Sequence, residues 1–193
     1  MIDLSEYDIL IDKIEPLWRI SKDDSDPSGV QYMTSSTIEA INFDLVKRAY
    51  INQLGHSEEA AASVDAILPA KNGIIFVEFK NGKVNNRNVK DKVRDSLLIY
   101  LDIIGESVTF SRGNIDFIVV YNLEKNPLPN QLKKGEFQES PSRLAIADCF
   151  LSKAEKELIR FDLERYEGIY FRNVHTYTKE KFEEELPRII NAL

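Results

Sequence analysis

GIIFVEFKNG, residues 73–82, decides how the rest of the chain is read. Ile74, Ile75, Phe76 and Val77 form an apolar, β-branched and aromatic run bounded by turn residues, which predicts a buried strand. The run stops at Glu78-Phe79-Lys80, followed by the turn pair Asn81-Gly82. Side chains alternate across a strand, so Glu78 and Lys80 share one face while Val77 and Phe79 share the other. A strand suited to the core thus ends by setting a carboxylate and an ammonium side by side.

Upstream, AAASVDAILP reads as a strand ending at Pro69, and AKNG as a hairpin turn into Gly73. Antiparallel pairing would lay Asp65 beside Glu78. Two adjacent carboxylates repel, which raises the pKa of one of them unless a cation neutralises the pair. A hard divalent ion such as Mg²⁺ (or Mn²⁺) answers that need, taking carboxylate oxygens, a backbone carbonyl and several waters. Lys80, alongside, would stabilise negative charge developing on a phosphate or assist deprotonation of a water.

Working further outward, a helix is expected from Ser36 to Gly55, with Ser36 and Glu39 as a capping box and Gly55 at the position after the cap. Phe43, Val46 and Tyr50 lie on roughly the same face as Glu39. After the hairpin, Asn88 is the expected cap of a helix, VKDKVRDSLLIYLDIIG, that stops at Gly105. SVTFS and IDFIVVYN read as strands, 123–143 as a long polar loop, 142–157 as a helix, IYFRNVHTYT as a strand and TKEKFEEELPRIINAL as a closing helix. Residues 1–33 read as an irregular N-terminal segment. The whole order predicts one α/β domain over 1–193 with a mixed sheet flanked by helices.

Net charge is −7, which argues against a protein that coats nucleic acid. Between Lys71 and Arg94, however, seven bases face two acids, a local net of +5 (seven minus two) that leaves −12 on the remainder. Lys83, Arg87, Lys90 and Lys92 fall in this segment and are the candidate phosphate contacts. The single cysteine, Cys149, excludes an internal disulfide and a zinc cluster and suits a reducing cytoplasm. No signal peptide is visible, and the stretch SLLIYLDIIG is too short to span a bilayer. The two histidines, His56 and His175, lack metal-ligand spacing. There is no G-x-S-x-G, and Gly82-Lys83 fails as a phosphate loop because Val84 and Val77 replace its required Ser/Thr and Gly.

Asp65, then Glu78-Phe79-Lys80 at the end of an apolar strand, resembles the D…(D/E)-x-K signature of the PD-(D/E)XK, or restriction-endonuclease-like, nuclease superfamily. The resemblance covers about Ser36 to Tyr121, and Glu78-Phe79-Lys80 is the sole acid-x-Lys triplet of the chain. It implies Asp65, Glu78 and Lys80 as catalytic residues, with Asp65, Glu78 and the Phe79 carbonyl on the metal. It also implies Glu39 as the acid that many members carry on the preceding helix, and Lys92 as an extra basic group on the following one. Val64 stands where the name-giving proline would be. The stretches EFKNGKV and VKDKVRDSLLIYLD are also similar to a group of bacterial proteins of this length, which narrows the fold without supplying a substrate.

The resemblance implies a Mg²⁺-dependent nuclease acting on nucleic acid, DNA before RNA; the cytoplasm is the location expected from the lone cysteine and the acidic N-terminal residues. Since one site cuts one strand per engagement, a homodimer is the assembly that duplex cleavage would call for. The alternative function is a non-catalytic nucleic-acid-binding or regulatory module on the same fold. The residues themselves have blander roles as well: an exposed salt bridge at a sheet edge for Asp65, Glu78 and Lys80, a cap for Glu39, a solvated helix lysine for Lys92.

Overall fold

The computed structural model describes residues 4–24, 29–71, 73–127 and 159–192. The apolar run around Phe76 becomes β6 (Gly73–Lys80), the longest strand of a six-stranded mixed sheet. Its hairpin partner is β5 (Ala66–Ala70), antiparallel, with Ala66 opposite Val77 and Ala70 opposite Gly73. Gly73 is required where it stands, because a Cβ there would overlap the carbonyl oxygen of Asn114. On its other side β6 pairs in parallel with β7 (Ile115–Tyr121), all seven residues of which are buried. Parallel pairing needs a crossover, and helix α4 (Asn86–Ile104) supplies it.

Helix α4 covers one face of the sheet because Val89, Val93, Leu97, Tyr100 and Ile104 recur at helical spacing and are all buried. Helix α3 (Phe43–Gln53) shares that face through Phe43 and Val46. The opposite face carries α6 (Lys179–Ala192), whose Phe182 and Leu186 pack against Ile75, Val77 and Phe79. The remaining strands are β1 (Ile14–Pro16), β4 (Glu39–Asn42) and β8 (Val174–Thr178), in the sheet order β1-β4-β5-β6-β7-β8. Neighbours from β1 to β6 are antiparallel, and β6, β7 and β8 are parallel. The expected mixed α/β sheet flanked by helices is present.

Several local expectations change. The helix predicted from Ser36 starts at Phe43, and Glu39–Asn42 is strand instead. Ala40 and Ile41 go to opposite faces of the sheet, a period-2 burial that overrides the helical one. The cap is Asn42, whose side chain accepts from the Leu45 N–H, and not Ser36. Likewise α4 is capped by Asn85, which accepts from the Arg87 and Asn88 amides, three residues before the expected Asn88. Gly55 and Gly105 do end their helices at φ +74 and +69. The His56 and Glu106 amides close the respective last turns onto Ile51 and Leu101.

SVTFS is not a strand: Val108–Asn114 form helix α5. Both edges of β6 are already taken by β5 and β7, so this segment does not pair with the strand nearest it in sequence. The N-terminal segment is less irregular than expected. Residues 8–11 and 17–20 form short helices α1 and α2, β1 adds an edge strand to the sheet, and β2 (Lys22–Asp23) pairs with β3 (Gln31–Tyr32). Fully buried Leu10 and Leu17 anchor it. The helix expected over 142–157, most of the loop 123–143, and Cys149 lie outside the described residues. No helix among the described residues is long and apolar enough to cross a membrane.

Asn42 both caps α3 and donates to Glu15 Oε2 at 2.7 Å, tying β4 to β1. Asn42→Ala should therefore cost about 1–2 kcal/mol, read as a lower urea midpoint with an unchanged slope. A change below 0.5 kcal/mol would show that the capping contact contributes nothing to stability.

Candidate active site

Asp65 sits one residue before β5, and the register that pairs Ala66 with Val77 sets it opposite Glu78. Its backbone is held from both sides: its N–H donates to Val77 O at 3.1 Å, and its carbonyl accepts from the Phe43 N–H at 3.0 Å. The preceding residues are anchored to α4. The Ala62 N–H donates to Asp95 Oδ2 at 2.9 Å, and the buried Val64 N–H donates to Ser96 Oγ at 2.7 Å. Asp95 and Ser96 thus position the strand entry that delivers Asp65.

Glu78 points to the α3/α4 side of the sheet, the side of Ile74 and Phe76, and its side chain is 0% exposed. Lys80, on the same face, brings Nζ to 2.6 Å from Glu78 Oε1 and donates to Asn88 Oδ1 at 3.3 Å. Lys92 reaches down from α4 to both acids, with Nζ at 2.8 Å from Glu78 Oε1, 3.1 Å from Oε2 and 3.3 Å from Asp65 Oδ1. The Phe79 N–H donates to Asp65 Oδ2 at 2.6 Å. A residue's N–H and C=O leave a strand on the same side, so the Phe79 carbonyl faces the Asp65 side too. Asp65, Glu78, Phe79, Lys80 and Lys92 therefore meet at one end of β6. The ion pairing is not the exposed salt bridge of the bland reading, since Glu78 is sealed from solvent.

Burial pushes Glu78 up to about 7, the Asp65 carboxylate adding to it while Lys92 and Lys80 pull the other way. Burial raises Asp65 as well, opposed by Lys92 and the Phe79 amide and reinforced by Asp44. Burial alone would lower Lys92, but Asp65 and Glu78 outweigh it, so its pKa is raised. The site is a coupled set of two reluctant carboxylates and a firmly charged ammonium.

These shifts carry a pH signature. Folded Glu78 holds its proton from its ordinary 4.5 up to about 7, where the unfolded chain has released it. Its contribution to stability is present below the unfolded value and lost as pH rises through about 7. The unfolding free energy of the metal-free protein, compared with Glu78→Gln in urea titrations, should fall between pH 5 and 8. Parallel curves for the two proteins would mean that Glu78 is ionised throughout.

Other candidates are not brought in. Glu39 is exposed on β4, opposite Pro16. It lies four residues, roughly 13 Å of strand, from Phe43, which is where the chain meets Asp65. It neither caps a helix nor reaches the site. The acid that α3 does contribute is Asp44, in its first turn, which accepts from Ser63 Oγ and whose charge bears on both Asp65 and Lys92. Reading Asn42 as the cap would have pointed to it. Lys90 is buried and paired with Asp162 at 2.7 Å, so it is not a solvent-facing cation. Lys83 and Arg87 are exposed near the end of β6, Arg87 within 3.9 Å of Asp91. Lys71 sits at the far end of the hairpin, roughly 25 Å from Lys80 by strand length. The basic segment is therefore not one patch.

Comparison with protein-family models, with curated proteins and with solved structures finds no match to this chain in any of the three.

A divalent ion at this site would have few side chains to hold it. Among the described residues no three His, Cys, Asp or Glu side chains converge closely enough to hold one together. Mg²⁺ does not require three, being held through one or two carboxylates with waters and substrate phosphates. Asp65, Glu78 and the Phe79 carbonyl are hard oxygen donors. Glu78 Oε1 is buried and faces two ammonium groups, Lys80 Nζ at 2.6 Å and Lys92 Nζ at 2.8 Å. An oxygen in that condition fits a cation.

A cavity of about 590 Å³ lies on the α6 side of the sheet, lined by Trp18, Tyr32, Met33, Thr34, Lys179 and Glu183 among others. It contains none of the site residues above. His175 is a partly buried residue of β8, stacked on Tyr177 at 5.4 Å, with its pKa lowered by burial.

Proposed function

We propose that this chain is a divalent-metal-dependent nuclease of the restriction-endonuclease-like superfamily, hydrolysing phosphodiester bonds in nucleic acid, DNA first. The observation that carries the reading is the meeting of Asp65, buried Glu78 and Lys80 at one end of β6, with the buried Glu78 carboxylate drawing two ammonium groups onto itself. The order of helix, hairpin, crossover helix and parallel strand supports it.

Asp65, Glu78 and the Phe79 carbonyl would hold Mg²⁺ or Mn²⁺. The ion, when bound, supplies positive charge to a phosphoryl oxygen. The protein's own part is positioning and electrostatics. The Phe79 N–H fixes the Asp65 carboxylate, leaving Oδ1 directed at Lys92. Lys80, held between Glu78 and Asn88, keeps an ammonium at the rim, where it stabilises charge growing on the attacked phosphate. Asp44 adds negative potential behind the pair. Exposed Lys83 and Arg87 at the same end offer phosphate contacts.

The test is cleavage of a panel of single-stranded, duplex and branched DNA and RNA in Mg²⁺ and in Mn²⁺. Cleavage that chelation abolishes supports the enzyme. One observation favours the rival binding module: Lys92 and Lys80 already balance the charge of the two carboxylates. Salt-dependent binding to the panel with no cleavage by the wild type would establish that reading instead.

A further inference from the structure

We propose that Lys92 is an internal counter-ion of the site, and that a divalent ion entering between Asp65 and Glu78 displaces its ammonium toward the phosphates of the substrate. This inference rests on the metal-dependent reading above. Lys92 Nζ touches both acids at 2.8–3.3 Å, and no other side chain among the described residues does so. The ammonium therefore occupies the space that an ion shared by the two carboxylates must enter. Mg²⁺ needs its oxygens at about 2.0–2.1 Å. An ammonium cannot keep its hold on the same oxygens, because a single and a double positive charge would then sit a few ångströms apart in a shielded pocket.

Lys80 stands differently. It contacts Glu78 alone among the acids, through Oε1, and its second partner is Asn88 at the rim. It flanks the pair, whereas Lys92 bridges it. The groups facing Lys92 are Asp65 and Glu78 from the hairpin and Asp44 from α3, with Lys80 sharing Glu78 Oε1. Every acid in that set is one the entering ion would partly neutralise, so entry removes the attraction that holds Lys92 in place. Its side chain is 20% exposed, and its long stem lets the ammonium swing outward from α4 without moving the helix. The anion available at that rim is a phosphodiester. Lys92 thus keeps two buried carboxylates neutralised when no ion is bound and becomes a phosphate ligand when one is.

The test uses the full chain, with Mn²⁺ as the probe, at pH 8. Calorimetric titration of the wild type, Lys92→Met and Lys80→Met should show Lys92→Met binding Mn²⁺ more tightly by about tenfold or more, and Lys80→Met changing affinity less. In the wild type, acetylation of Lys92 read by mass spectrometry should be slow without Mn²⁺ and accelerate at saturation. This second measurement decides the matter if Lys92→Met does not fold without the ion. Mn²⁺ binding by the wild type with Lys92 equally protected, or Lys92→Met binding no more tightly, overturns this inference and leaves the metal reading standing. No Mn²⁺ binding by any of the three proteins overturns both.

Discussion

Lys80→Ala should lower metal-dependent cleavage by about 10²–10³-fold, the usual loss when one preorganised electrostatic donor is removed. The folded state should survive. Lys80 lies at the last position of β6 with its side chain 20% exposed, and it adds little to either apolar cluster. Lys92 still neutralises Glu78 in the variant. The substitution has one indirect effect to separate from the direct one. Losing Lys80 removes one of the cations holding Glu78 down, so Glu78 keeps its proton to higher pH. Assays at pH 7 and pH 9 divide the two. A loss that persists at pH 9 means that Lys80 acts on the reacting phosphate; recovery at pH 9 means that it acts through the charge of Glu78. Equal residual cleavage by wild type and variant would trace the activity to a contaminant and end the catalytic claim.

Phe76→Ala should cost about 3–5 kcal/mol, the largest stability change expected of any single substitution considered. Phe76 is fully buried mid-strand, with Tyr100 edge-on at 5.3 Å and Phe43 and Phe171 each at 6.0 Å. These rings come from α4, α3 and the segment before β8, so the cavity would open where three parts of the chain meet and none can close it alone. At roughly 2–4 °C per kcal/mol for a chain of this size, the midpoint of thermal unfolding should fall by roughly 6–20 °C. Leu98→Ala, on the outer face of α4 with Leu98 63% exposed, is the matched control and should stay within about 0.5 kcal/mol. Comparable losses from the two would mean that Phe76 is not the centre of the core.

The amino-acid sequence by itself determined the parts of this protein that rest on local periodicity and local stops. The apolar run at Ile74–Val77, bounded by turn residues, read as a buried strand, and the stripe Val89-Val93-Leu97 as the buried face of a helix. Gly55 and Gly105 end helices because their positive φ suits a residue without a Cβ. Asp65 opposite Glu78, with Lys80 two residues on, followed from hairpin register and the alternation of side chains. Tertiary structure decided the rest. Glu39–Asn42 satisfies a helical pattern and a strand pattern equally well, and only the free edges of β1 and β5 select the strand. That choice moves the start of α3 to Phe43 and replaces Glu39 with Asp44 beside the site. SVTFS carries strand propensity, but β6 already has β5 and β7 on its two sides, and the segment between α4 and β7 is the helix α5. The bridge from Lys92 to both carboxylates depends on how α4 crosses the sheet. No spacing within the sequence records it, because the three charges converge only when α4 folds back across the hairpin that precedes it.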